Sequence, residues 1–178
     1  RGKQVEPLKI TGDTAEKGTT VWFKADEEMF ETTEYDFDTL LTRLREQAFL
    51  NAGVFIELKD LRSSDPSEHK NVEMKYEGGI KSFVEHIHKR RQLEVLHKEV
   101  IYLKNETEAG LAEIAMQYND SYNEILLTFA NNIHTVEGGT HEVGFKSALT
   151  RVFNDYGKRH NLLKESDKNL TGEDVREG

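Results

Sequence analysis

The chain has 178 residues, 33 Asp and Glu against 24 Lys and Arg, a formal net charge of −9 and no cysteine. That length fits one ordinary domain or parts of two, and the missing thiols exclude a disulfide framework, a thiolate metal site and cysteine catalysis, which suits a reducing cytoplasm. No apolar run approaches the roughly 20 residues that span a bilayer, the N-terminus has no signal-peptide core, and the acidic balance confines any nucleic-acid contact to a local basic patch.

The first element expected is a strand in "GTTVWFKAD", where Thr20, Trp22 and Lys24 alternate with Val21 and Phe23 at the period of a half-buried strand. An acidic run without a base follows: Glu27, Glu28, Glu31, Glu34, Asp36 and Asp38. Solvated surface is its ordinary explanation. From Asp36 the period changes, with Phe37, Leu40, Leu41, Leu44 and Ala48 striping one side of a helix that Asn51 and Gly53 end. Alternation returns over Val54–Leu61, then a polar connector "SSDPSEHKN", then a second short strand at Val72, Met74 and Tyr76.

After the glycines at 78 and 79, Ile80, Phe83, Val84 and Ile87 predict a helix that runs out in the basic "HKRR". Its His86 and His88 lie roughly 200° apart around the axis, too far to chelate one metal, and are expected at the surface. Three strands are expected next, "EVIYL", "LAEIAMQY" and "EILLTFANNI". The last two flank "NDSYN", whose Asn and Asp favour a turn, so they are expected as an antiparallel hairpin.

"EGGTHEVGFKSALTRVF", Glu137 to Phe153, begins like a metalloprotease helix, with His141 and Glu142 adjacent. A zinc protease of that kind needs a second histidine four residues on, so that both rings leave one helix face; that position is Phe145, and no metal site is expected. A structural role explains the motif better: Gly138 and Gly139 turn the chain, Thr140 caps, Glu142 opposes the dipole, and His141 packs or bonds locally. Phe145, Ala148, Leu149, Val152, Phe153 and Tyr156 then predict a long buried stripe, with Lys158, Arg159 and His160 at the negative helix end. Lys146 to Lys168 carries six bases against three acids. At the end of the chain, Thr171-x-x-Asp174 is a capping pattern that starts a helix and abandons it, which suggests a piece of a larger protein.

Several chemistries find no residues to carry them. There is no G-x-x-x-x-G-K-[ST] phosphate loop, no G-x-G-x-x-G turn and no G-x-S-x-G nucleophile elbow. The many acids give no sign by themselves of a catalytic pair.

The order of local motifs is more specific. "GTTVWF", "RLREQAFLNAGVFIELKD", "YEGGIKSFVEHI", "NNIHTVEGGTHEVGFKSALTRVFNDY" and "LTGEDVREG" together resemble the ATPase subunits of bacterial type IIA topoisomerases, the DNA gyrase B family with its topoisomerase IV paralogue, from about Gly18 to Gly178. The resemblance implies an α+β chain. Residues 1–76 would be the C-terminal part of an ATPase domain of the GHKL type, and residues 77–178 the start of a transducer with a ribosomal-protein-S5-like fold, a mixed sheet backed by helices. It implies an ATP-dependent isomerase in which ATP and Mg2+ close a gate over DNA, partnered by a second B subunit together with the gyrase A subunit, in the cytoplasm and away from membranes.

Within this chain the resemblance implies no catalytic residue. The family's Mg-binding asparagine, its water-activating and adenine-reading acids and its glycine-rich lid precede these motifs, and its Gln-Thr-Lys loop follows them. Thr19 matches a threonine that helps line the adenine pocket, where ATP-competitive inhibitors also bind. Lys146 matches a basic position facing the cavity between two transducers; relative to arginine, lysine keeps the charge but loses the planar fork, which favours screening of DNA over bidentate phosphate binding. A merely solvated Lys146 is the alternative. The isolated chain is expected to hydrolyse no ATP and to bind no cofactor; a paralogue fragment, or an interaction module reusing the transducer fold, is the competing reading.

Overall fold

The computed structural model describes residues 3–22, 25–108, 110–164 and 166–178, and it divides into two units, Arg1–Tyr35 and Asp36–Gly178. In the first unit the described residues form no helix and no strand. Local bonds shape it, such as Met29 N–H to the Asp26 carbonyl at 2.9 Å and Lys9 to Glu6 at 2.8 Å. The strand expected over Thr20–Lys24 is therefore corrected for the residues described: Val21 and Trp22 are 72% and 85% exposed and outside any ladder, while Phe23 and Lys24 lie outside the described residues. Alternation creates two faces, but a strand persists only where a neighbour accepts its N–H groups and covers one face.

The second unit begins with α1, Phe37–Leu50. The Asp36 carboxylate accepts the Thr39 N–H at 2.6 Å, answering one orphan donor of the first turn. At the other end the Asn51 N–H and side-chain amide both donate to the Gln47 carbonyl, and Gly53 takes φ 80°, which glycine adopts without a Cβ penalty. The chain leaves through β1, Ile56–Asp60, and returns antiparallel as β2, Lys70–Met74, in register Ile56↔Met74 to Asp60↔Lys70. A short 3-10 turn, Pro66–Glu68, lies in the connector.

Helix α2, Ile80–Arg91, starts at Gly79, where φ is 57° and a Cβ would stand 3.2 Å from the Ala52 Cβ. That close approach sets the end of α1 beside the start of α2. Phe49, 1% exposed, fills the joint, its ring stacked on Tyr76 at 3.7 Å and on Phe83 at 4.8 Å between centroids. Burying such a ring stabilises by about 1.5–3 kcal/mol and each ring pair adds roughly 0.5–1.5 kcal/mol. Ala48 and Met74 are also buried in this unit, and Lys70 Nζ stands 4.9 Å over the Phe37 ring.

Strand β3, Ile101–Thr107, pairs antiparallel with β4, Gly110–Met116, from Ile101↔Met116 to Thr107↔Gly110. This overturns the expected hairpin. The 111–118 segment pairs with the strand before it, and "NDSYN" instead clamps distant chain: Asp120 exchanges bonds with Glu94, and the Asn119 N–H donates to the Gly178 carbonyl at 3.2 Å. The expected strand "EILLTFANNI" is shorter than its apolar run, because Asn131 and Asn132 at φ 49° and 66° fold it into a tight hairpin of β5, Phe129–Ala130, and β6, Ile133–His134. All described ladders are antiparallel pairs, so no described strand supplies the parallel neighbour of a mixed sheet.

Helix α3, Thr140–Arg159, corrects two expectations. Thr140 is the first helical residue and does not cap; Gly139 occupies the cap position without a side-chain bond. Its apolar stripe is also not the long buried face expected, for Phe145, Ala148 and Leu149 are only half-buried and Val152 is 58% and Tyr156 56% exposed, whereas Asn154 and Gly157 are its buried residues. Periodicity aligns such side chains, and burial waits on an element to cover them. Asn154 is fastened by three bonds, its amide donating to the Thr150 and Leu170 carbonyls and its oxygen accepting the Leu170 N–H at 2.8 Å.

Candidate functional site

Lys146 projects from the second turn of α3 into a network of four charges. Its ammonium lies 2.8 Å from Glu142, one turn earlier on the same helix, and 3.2 Å from Glu124; Glu124 also takes Arg176 at 2.8 Å. Hydrogen bonds to Glu142 and then to Glu124 raise the Lys146 pKa above its ordinary value. Burial works against ionisation of Glu124, but hydrogen bonds from Arg176 and Lys146 outweigh it and hold its pKa below the usual range. The lysine is therefore partnered as well as solvated. Arg176 belongs to the turn after Thr171, where Thr171 and Asp174 close the expected capping box: the Thr171 N–H and the Asp174 carboxylate are 2.7 Å apart, and the Asp174 N–H reaches the Thr171 hydroxyl at 3.3 Å.

His141 bonds locally, with Nε2 3.1 Å from the Thr135 hydroxyl, as its structural role requires. The histidines of α2 depart from expectation. His88 is 7% exposed, with Nδ1 3.1 Å from the Gln117 amide oxygen, and Gln117 donates on to the His97 carbonyl at 2.8 Å. A surface His88 is thus corrected; it lies four residues after Val84, at the edge of the helix stripe, and the chain just past β4 meets it there. His86 is half-buried, and burial first, then the positive charges of Arg45, Arg90 and Lys89, lower its pKa.

Sequence reasoning missed what those charges surround. Thr42, Arg45 and Glu46 of α1 line a pocket of about 390 Å³ together with residues of α2, Ile125 and Leu127. The basic "HKRR" hinted at one wall, but no local signal says that α1 supplies the other.

Thr19 is exposed and belongs to the first unit. Among the described residues no group of three His, Asp or Glu is placed to hold a metal ion. No helix among the described residues is long and apolar enough to cross a membrane.

These observations define an α+β fold with an aromatic joint between two packed helices, followed by a long helix carrying a paired lysine. Similarity to known proteins supplies the family. The DNA gyrase B profile matches residues 79–178, more than half of the chain. The B subunit of DNA gyrase from Clostridium acetobutylicum is 55% identical across 100% of this chain and 27% of its own length. That of Bacillus mycoides is 52% identical across 100% of this chain and 43% of its own. A crystal structure of the 43K ATPase domain of Thermus thermophilus gyrase B in complex with an aminocoumarin superposes with TM-score 0.70 and 31% identity, covering 86% of this chain and 40% of that one. The B subunit of Myxococcus xanthus gyrase, 23% identical with TM-score 0.65 over 74% of this chain and 36% of that one, supports the fold alone. This chain belongs to the DNA gyrase B family. It spans about a quarter to less than half of the relatives' lengths.

Proposed function

We propose that this chain is the region of a gyrase B subunit where the end of an ATPase domain, residues 1–76, joins the start of a transducer, residues 77–178. Its work is mechanical: it couples ATP binding and hydrolysis elsewhere in the protein to movement of the DNA gate and to supercoiling, and makes no bonds itself. The observation that carries this reading is the Phe49 stack. Phe49 and Tyr76 come from one side of the 76/77 seam and Phe83 from the other, so a displacement of α1 is passed to α2 through touching rings rather than through a slack linker. In the intact protein the partners are DNA, a second B subunit, and the gyrase A subunit, with ATP and Mg2+ as cofactors, in the cytoplasm. The gyrase relatives favour this over a topoisomerase IV fragment or a free-standing interaction module.

Thr19 remains the proposed adenine-pocket residue and Lys146 the proposed DNA-facing charge. Lys146 meets passing DNA already balanced by Glu142 and Glu124, so it screens phosphate rather than gripping it. In the full-length protein, Lys146→Gln is expected to lower DNA-stimulated ATPase and strand passage several-fold while sparing basal ATPase; equal loss of both points to helix damage and overturns the role. ATP hydrolysis by the 178-residue chain at the rate of an intact N-terminal half sinks the relay reading.

A further inference from the structure

The pocket between α1 and α2 has a lining of two opposite characters. Phe83, Ile87, Ile125 and Leu127 line it with apolar side chains, and Arg45, Arg90 and Arg91 line it with three cationic ones. The carboxylate there, Glu46, is turned to Arg43 at 3.0 Å. Among the described residues, by contrast, none of the three arginines carries an ion pair. Uncompensated positive charge thus collects beside apolar side chains in a chain whose net charge is −9. His86 beside them registers it: its pKa is lowered first by burial and then by Arg45, Arg90 and Lys89. The volume, about 390 Å³, lies in the range of small-molecule sites and is too small for a folded peptide segment.

We propose that this pocket binds a small amphipathic anion, its aromatic or short aliphatic body resting on Phe83, Ile87, Ile125 and Leu127 and its acidic head facing Arg45, Arg90 and Arg91. Guanidinium forks match carboxylate, sulfonate and phosphate oxygens in pairs, and the apolar side chains beside them offer contact to the ligand's body. Such a ligand touches α1 and α2 together, so it stabilises their packing by mass action. The inference stands on the pocket alone and does not depend on the relay reading.

The test uses the intact chain and anilinonaphthalene sulfonate as the probe. A saturable single site is expected by fluorescence titration, with amide shifts in NMR centred on Arg45, His86 and Leu127. The neutral N-phenylnaphthylamine should bind roughly tenfold or more weakly, and so should the sulfonate to an Arg90→Gln, Arg91→Gln double variant. Competition by naphthyl phosphate against naphthoate assigns the head group, and displacement by either supports the site. Should the double variant lose its fold, the wild-type shift map decides. Shifts scattered outside the pocket, equal affinity for the neutral analogue, or failure of both competitors to displace the probe overturns the proposal.

Discussion

Helices α1 and α3 carry apolar stripes of the same kind and meet opposite surroundings. On α1, Ala48 and Phe49 are 0% and 1% exposed, in a helix that packs on β1, β2 and α2; on α3, Val152 and Tyr156 are 58% and 56% exposed. The first helix has become a joint, through Phe49 beside the stripe. The second stripe is half-buried at Phe145, Ala148 and Leu149 and exposed from Val152 onward, and α3 also carries polar anchors, Asn154 on one side and the Lys146 network on another. A stripe therefore marks a face capable of burial, while the energy comes only where a partner removes that face from water.

The largest expected effect breaks the comparison if it fails. Phe49→Ala should destabilise by about 3–5 kcal/mol, and Val152→Ala by less than about 0.5 kcal/mol, in denaturant unfolding followed by circular dichroism. Comparable costs at both positions show that the α3 face is covered in solution. Asn154→Ala comes next: three bonds to backbone are lost and half-buried partners are left unmet, at about 1–3 kcal/mol, and residues near Leu170 should lose hydrogen-exchange protection first. Protection lost evenly across α3 instead contradicts the anchor.

A smaller effect separates the two helix starts. Asp36→Ala should lower the melting temperature, whereas Thr140→Ala should leave it unmoved, because only Asp36 caps with its side chain. Acid titration sharpens this. Hydrogen bonds from Thr39 hold the Asp36 pKa below 3.8, and Arg62 brings that of Asp60 to about 2. Folded values below unfolded ones mean that this stability is present above about 3.8 and is lost as pH falls toward about 2. The Asp36→Ala protein should show a shallower acid limb. His86 follows the same sign at higher pH: depressed by burial and by Arg45, Arg90 and Lys89, its contribution is present above its ordinary 6.5 and fades below it, and His86→Phe should flatten the stability curve there. An unchanged curve denies His86 its lowered pKa.

Much of the local structure is legible in the chain itself. Asp36 and Asn51 bracket α1, the glycines at 78 and 79 precede α2, and Thr171 with Asp174 makes its capping box, all through bonds that reach only a few residues along the chain. The ordered motifs also point to the correct family. Less legible is the sheet. The 111–118 segment has two candidate partners of equal local merit, and the turn residues of "NDSYN" favour the wrong one, since the pairing lies before it, at Thr107↔Gly110. His88 reads as surface because histidine is polar, although Gln117 supplies a bond that no neighbour in sequence announces.

The sequence by itself determined where α1 begins and ends, which side of each helix is apolar, and to which family the chain belongs, because caps, periods and motif order are written within a few turns of backbone. The tertiary structure alone decided that Phe49 would be a joint and Tyr156 would not, that Lys146 would face two acids, and that three arginines from two helices would share one pocket. Those outcomes depend on which distant segment arrives at a face, and that arrival is settled by packing of the whole unit rather than by any local preference.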